Sequence, residues 1–157
     1  MSLLSLVIVG PVAAAMLALL VLRGYFVVVT VTGGSMAPGL MPGDRLLVRR
    51  KAKHGLRVGH IVVFGQQRDE CLGWDSDVSP PPIQWTIKRV VALPGDAVPA
   101  VACPAAGGLA VVPPDMLVVL GDNDGSVDSR TWGFLPAADV LGVAVRRLSP
   151  SGRRPEI

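Results

Sequence analysis

Twenty consecutive residues, Leu3 to Leu22, carry no formal charge, and only Ser5, Gly10 and Pro11 interrupt their apolar character. A helix of that length rises roughly 30 Å, the thickness of a bilayer's hydrocarbon core. A soluble domain has little use for a helix that is apolar on every face. Gly10-Pro11 would bend a helix in water, whereas membrane helices tolerate such a pair. Arg23, Tyr25 and Phe26 follow at once and suit a membrane–water boundary. A cleaved leader would want a basic start and a small-residue site after its apolar core. Here the start is Met1-Ser2, and Ala13-Ala14-Ala15 falls in mid-run. Residues 1–23 are therefore expected to form a single-pass transmembrane anchor. The basic residues around 45–57 do not fix its orientation, because long domains cross regardless of charge.

Behind the anchor the pattern changes to short runs rich in Val, Ile and Leu, bounded by Gly, Pro and Asp. These runs are Tyr25–Thr32, Arg45–Arg50, His60–Phe64, Ile83–Val91, Met116–Leu120 and Val140–Leu148. Such punctuation predicts strands and turns. With 157 residues, one domain and a short appendage are expected. The fold class is mostly β: a single small antiparallel sheet, barrel-like, over residues 24–148. Gly65–Pro82 and Pro99–Asp115 read as long loops, and 149–157 as a polar tail. Cys71 and Cys103 lie in or near those loops, where an oxidising compartment would permit a disulfide; two unrelated thiols are the alternative.

Two segments hold side chains suited to chemistry. Gly33-Gly34-Ser35-Met36-Ala37-Pro38 sets one serine on a rigid turn between strands, where neighbouring glycines admit close approach. Most serines in such turns are only turn residues. A hydroxyl becomes a nucleophile when a base removes its proton, and the candidates are His54, His60 and Lys88. A Ser–His–Asp arrangement is possible on composition, but no local pattern around either histidine supports it. Lysine is scarce: 12 of the 15 basic residues are arginine. Lys88 lies inside a strand beside Ile87, Val90 and Val91, where a charge calls for an explanation. Near its reference pKa only about one lysine in 2,500 is neutral at pH 7, and apolar burial raises that fraction. Arginine could not serve, because it does not lose its proton.

A third segment, Gly121-Asp122-Asn123-Asp124-Gly125-Ser126-Val127-Asp128-Ser129-Arg130, is dense in small hydrogen-bonding groups. It suits a surface loop with Asx turns. A calcium loop would also want an acid at its twelfth position, which this segment lacks. The net charge of +3 is modest and its basic residues lack interleaved aromatics, so nucleic acid is not an expected partner.

Together these segments resemble the type I signal peptidases, membrane-bound Ser/Lys endopeptidases. The resemblance rests on Ser35-Met36-Ala37-Pro38, on Gly43-Asp44 with Leu46–Val48, and on Lys88-Arg89-Val90-Val91-Ala92-Leu93-Pro94-Gly95-Asp96. It is completed by Gly121-Asp122-Asn123 and Ser126–Arg130, in the family's order over residues 1–148. It implies Ser35 as nucleophile, with its N–H as oxyanion donor, and Lys88 as general base and acid. It implies Ser126 as the group that orients the lysine amine. Asp128 and Arg130 would pair to support the site, and Asp122 and Asn123 would be structural. No metal or other cofactor is implied. The partners would be the lipid bilayer and preproteins with small residues before the cut, bound as an added strand by a monomer. The catalytic domain would lie on the extracytoplasmic face of the plasma membrane. Departures from the family pattern are Gly33, Gly39, Ala92, His60 and Asp124, in a third segment that is one residue short. They leave open a dedicated maturation peptidase with few precursors, and a non-catalytic membrane-anchored module that binds extended peptides.

Overall fold

In the computed structural model, residues 10–17, 23–50, 55–66 and 84–149 are described. Among these residues, seven strands form one antiparallel sheet. They are β1 (Phe26–Thr30), β2 (Arg45–Arg50), β3 (Ile61–Gln66), β4 (Gln84–Ala92), β5 (Met116–Leu120), β6 (Leu135–Pro136) and β7 (Val140–Arg147). Their order across the sheet is β1-β2-β7-β3-β4-β5-β6. The six expected runs are all strands, and two of them, β2 and β5, match in both bounds.

Residues 10–17 and 23–25 are helical. No helix among the described residues is long and apolar enough to cross a membrane. The expected anchor over 1–23 is thus not found as a spanning helix, and residues 1–9 and 18–22 of it lie outside the described residues. The described part is exposed, with Val12, Met16 and Leu17 each more than half accessible.

The Ile-Val-Val-Phe run of β3 is apolar at successive positions because both of its faces are covered. Val62 and Phe64 join one core cluster with Val90, Leu117, Val119, Leu135, Val140 and Val143. Val63 points to the other, with Val31, Met36, Leu40, Leu46, Val48 and Ile87. Side chains alternate along a strand, so a two-sided strand loses the usual polar alternation. Register shifts at Leu47/Val48, Val63/Phe64 and Val90/Ala92 interrupt the ladders, and such bulges bend and twist a sheet.

Pro99–Asp115, expected as loop, carries structure of its own. A 3-10 turn spans Cys103–Ala106, and Ala97 bridges to Val111. Ala102 and Ala106 pack there with Val98, Val112 and Val118 in a third small core. Alanines bury too little apolar surface to advertise such a cluster in the sequence. Cys71, most of the Gly65–Pro82 loop and the tail beyond Ser149 lie outside the described residues, and with them the possible Cys71–Cys103 pairing.

Candidate active site

The serine turn hangs between β1 and β2. Its base is closed by two backbone bonds, Val31 N–H to the Asp44 carbonyl and Gly43 N–H to the Val31 carbonyl, both 2.8 Å. Met36, the residue after Ser35, is 1% exposed and plugs the second core cluster with Leu40. Ser35 itself is half-buried. The sequence therefore tethers the serine by a buried neighbour on one side and a closed hairpin base on the other.

Lys88 sits in the middle of β4, opposite the fully buried Val62 of β3. Only 3% of the residue is exposed. Its Nζ donates to Ser126 Oγ at 2.5 Å. Burial pushes the amine below its ordinary pKa; the Asp128 carboxylate opposes this and the Arg130 guanidinium adds to it. A shift in that direction favours the neutral form that a base requires.

The third segment brings these parts together. Gly121 packs so closely that a Cβ there would overlap the hydroxyl of Ser126 and the carbonyl oxygen of Ser35. Asn123 N–H donates to the Ser35 carbonyl at 3.1 Å, and its side-chain amide donates to the Gly34 carbonyl at 3.3 Å. Ser126 N–H in turn donates to the Asn123 carbonyl. Ser126 thus meets the Lys88 amine, while Gly121 lies against both the Ser126 hydroxyl and the Ser35 backbone carbonyl.

Asp128 is fully buried. It accepts from Arg130 Nε at 2.9 Å and Nη2 at 2.7 Å, a two-pronged pair. It also accepts from Gly121 N–H at 2.8 Å. Burial alone would raise this carboxyl, but the bonds from Arg130 and the Gly121 amide outweigh it and bring the pKa to about 2. The expected Asp128–Arg130 pair is present.

Asp122 is half-buried and grips Arg89 through both oxygens, at 2.8 and 2.7 Å. That arginine neighbours Lys88 and also donates to the Gly59 carbonyl. With Asp122 committed to Arg89 and Asp128 to Arg130, the two carboxylates face guanidinium groups, which argues against the calcium-loop reading. The family resemblance implied the Asp128–Arg130 pair, whereas Arg89 and Asp122 are linked only by the fold. A Cβ on Gly39 would lie 2.6 Å from Asp122 Oδ2, so the glycine lets this carboxylate rest against the serine turn. His60 has its Nδ1 engaged by the Arg57 amide at 3.2 Å. His54 lies outside the described residues.

The family model for "Signal peptidase, peptidase S26" matches residues 4–102 and 99–148. The chain belongs to the signal peptidase family S26. A probable signal peptidase I-1 of Synechocystis sp. is 34% identical over 145 residues, covering 76% of this chain and 69% of the relative. Signal peptidase I of Leptolyngbya laminosa is 33% identical, covering 78% and 68%. A solved signal peptidase I from Enterococcus faecalis V583 covers 57% of this chain and 97% of its own at 21% identity, with a TM-score of 0.40. Family membership makes this chain a serine peptidase, a hydrolase of peptide bonds.

Proposed function

We propose that this S26 peptidase removes N-terminal signal peptides from exported preproteins by a Ser35/Lys88 dyad. The observation that carries the reading is the buried Lys88 amine bonded to Ser126, beside a glycine that touches both Ser126 and Ser35. Neutral Lys88 takes the proton of Ser35 as the serine oxygen attacks the scissile carbonyl carbon. The Ser35 N–H donates to the oxyanion that forms. Lys88 then returns its proton to the departing amine, leaving an acyl-serine. A water, deprotonated by the same amine, hydrolyses that ester and regenerates the hydroxyl. Ser126 fixes the amine's direction, and Asp128 with Arg130 holds the segment that carries Ser126. No metal or cofactor enters this cycle.

Residues 1–23 are the membrane anchor in this proposal, 24–148 the catalytic domain on the extracytoplasmic face, and 149–157 a short tail. The segment from Leu22 to Ser35 supports it. Fully extended at about 3.4 Å per residue, it keeps the serine within roughly 45 Å of the bilayer, where preproteins emerge. Such tethering raises the effective concentration of substrate. The substrate would dock as an added strand, with small residues before the cut filling shallow sites.

The test is incubation of the purified chain, in detergent or lipid, with a precursor carrying a signal peptide and an Ala-x-Ala site. Mass spectrometry should locate one cut after that site, and Ser35→Ala should abolish it. Processing that persists in Ser35→Ala and Lys88→Ala would sink the dyad and favour a non-catalytic peptide-binding module. Cleavage confined to one of several unrelated precursors would point to the dedicated maturation peptidase.

A further inference from the structure

The serine turn is gripped from two sides. On the side before Ser35, Asn123 holds the Gly34 and Ser35 carbonyls. The side after it runs from Met36 to Asp44 and ends on a buried ionic cluster. Asp44 is 6% exposed. Its Oδ2 accepts from Met41 N–H at 2.8 Å, while Oδ1 accepts from Arg147 Nη2 at 2.8 Å and from the Ser149 hydroxyl at 3.0 Å.

Arg147 closes β7, opposite Leu46 of β2. Besides Asp44, its Nη1 reaches toward the Gly39 carbonyl at 3.5 Å. Its Nε is buried with no hydrogen-bond partner among the described residues. Ser149 fastens the same corner, accepting from Arg45 N–H at 2.9 Å.

These bonds form a continuous path to the nucleophile. Asp44 ties Met41 through side chain and backbone, Leu40 N–H donates to the Met36 carbonyl at 2.8 Å, and Met36 is bonded to Ser35. Removing the cation would leave a buried carboxylate without its charge partner, and the half of the turn after Ser35 would lose one of its ties, beside the backbone bonds at its base and the buried Met36 and Leu40. We infer that Arg147, through Asp44 and Gly39, is a positioning residue that fixes Ser35 for attack. The inference rests on Ser35 being the nucleophile proposed above.

The test uses the full chain with a signal-peptide substrate and compares wild type, Arg147→Met, Arg147→Lys and Ser35→Ala. Assays are run at a temperature where each variant is fully folded by thermal melting. Arg147→Met should lower kcat by about 10- to 100-fold, the range expected for a small displacement of a reacting group. KM should stay within about twofold, since the loss concerns the transition state. Arg147→Lys should recover part of kcat, because an ammonium can still meet Asp44 but cannot fork to Gly39. Folded Arg147→Met with wild-type kcat and a lower melting temperature would overturn the inference, leaving Arg147 merely structural. If Arg147→Met does not fold, Ser149→Ala removes one bond to Asp44 without removing its cation. A several-fold drop in kcat at unchanged KM then supports the inference, and unchanged kcat overturns it. A Ser35→Ala protein that still cleaves would instead sink the proposed dyad, which separates the two failures.

Discussion

Lys88 Nζ and Ser126 Oγ stand 2.5 Å apart, although 38 residues separate them in the chain. This contact gives the amine a fixed direction inside a strand whose neighbours are apolar. Two substitutions separate its parts. Lys88→Arg keeps a long cationic side chain but cannot yield a base, so cleavage should fall by at least the 10²- to 10⁴-fold typical of general base loss. Ser126→Ala leaves the base and removes its guide, and kcat should drop by about 10- to 100-fold. Lys88→Arg with near-normal turnover in a precursor-cleavage assay would refute the assignment of the base.

The pH profile should carry the signature of the buried amine. Its active form is neutral, so kcat/KM rises with pH through the pKa of Lys88 in the free enzyme. Burial lowers that pKa from 10.5, which moves the rise toward neutral pH. The Asp128 charge works the other way. Asp128→Asn removes it, and the rise should then move to lower pH in whatever fraction stays folded. A profile in which Asp128→Asn moves the rise upward would contradict the electrostatics of this site.

Asp128 also makes a stability prediction with a definite sign. Its folded pKa of about 2 lies below the reference value of 3.8. The unfolded chain therefore binds a proton more readily, and stability falls as pH falls. The contribution is complete above about 4 and disappears as pH drops through about 2, and it amounts to about 2 kcal/mol. Chemical denaturation of wild type and Asp128→Asn should diverge near neutrality and converge toward pH 2. A constant gap between them across that window would rule out this linkage.

Local order was legible in the sequence, and tertiary pairing was not. The strand runs were visible because β-branched residues cluster between Gly and Pro breaks, and β2 and β5 came out with their exact bounds. Ser35 and Lys88 were marked by their own segments, while the role of Ser126 and the Asp128–Arg130 pair came from the family resemblance. Arg89–Asp122 and Arg147–Asp44 span long stretches of chain, and no local pattern couples such partners. The two-residue strand β6 and the helical turn Ser129–Trp132 are too short to show a period. The turn exists because Asp128 caps it, accepting from Arg130 N–H, and Trp132 packs edge-on against Phe64 with ring centroids 6.3 Å apart. The tail was read as beginning at residue 149, yet Ser149 is fastened to Asp44 and Arg45, a role its polar surroundings do not announce.

Gly121 offers the sharpest test of the site's assembly, because it touches two of the proposed participants with no side chain of its own. Its N–H donates to Asp128, so the backbone cannot retreat from a new methyl group. Gly121→Ala would drive that methyl into the Ser126 hydroxyl and the Ser35 carbonyl. Overpacking of this kind costs about 1–3 kcal/mol. The displacement should also cut kcat by roughly 100-fold, since both the base's guide and the nucleophile's turn are pushed aside. Gly125→Ala, four residues along the chain in a looser setting, where the nearest atom to a new Cβ is 3.4 Å off, is the matched control and should keep most activity. Equal activity in the two variants, measured on folded protein with the same precursor, would mean that the close approach at Gly121 does not hold the catalytic groups together.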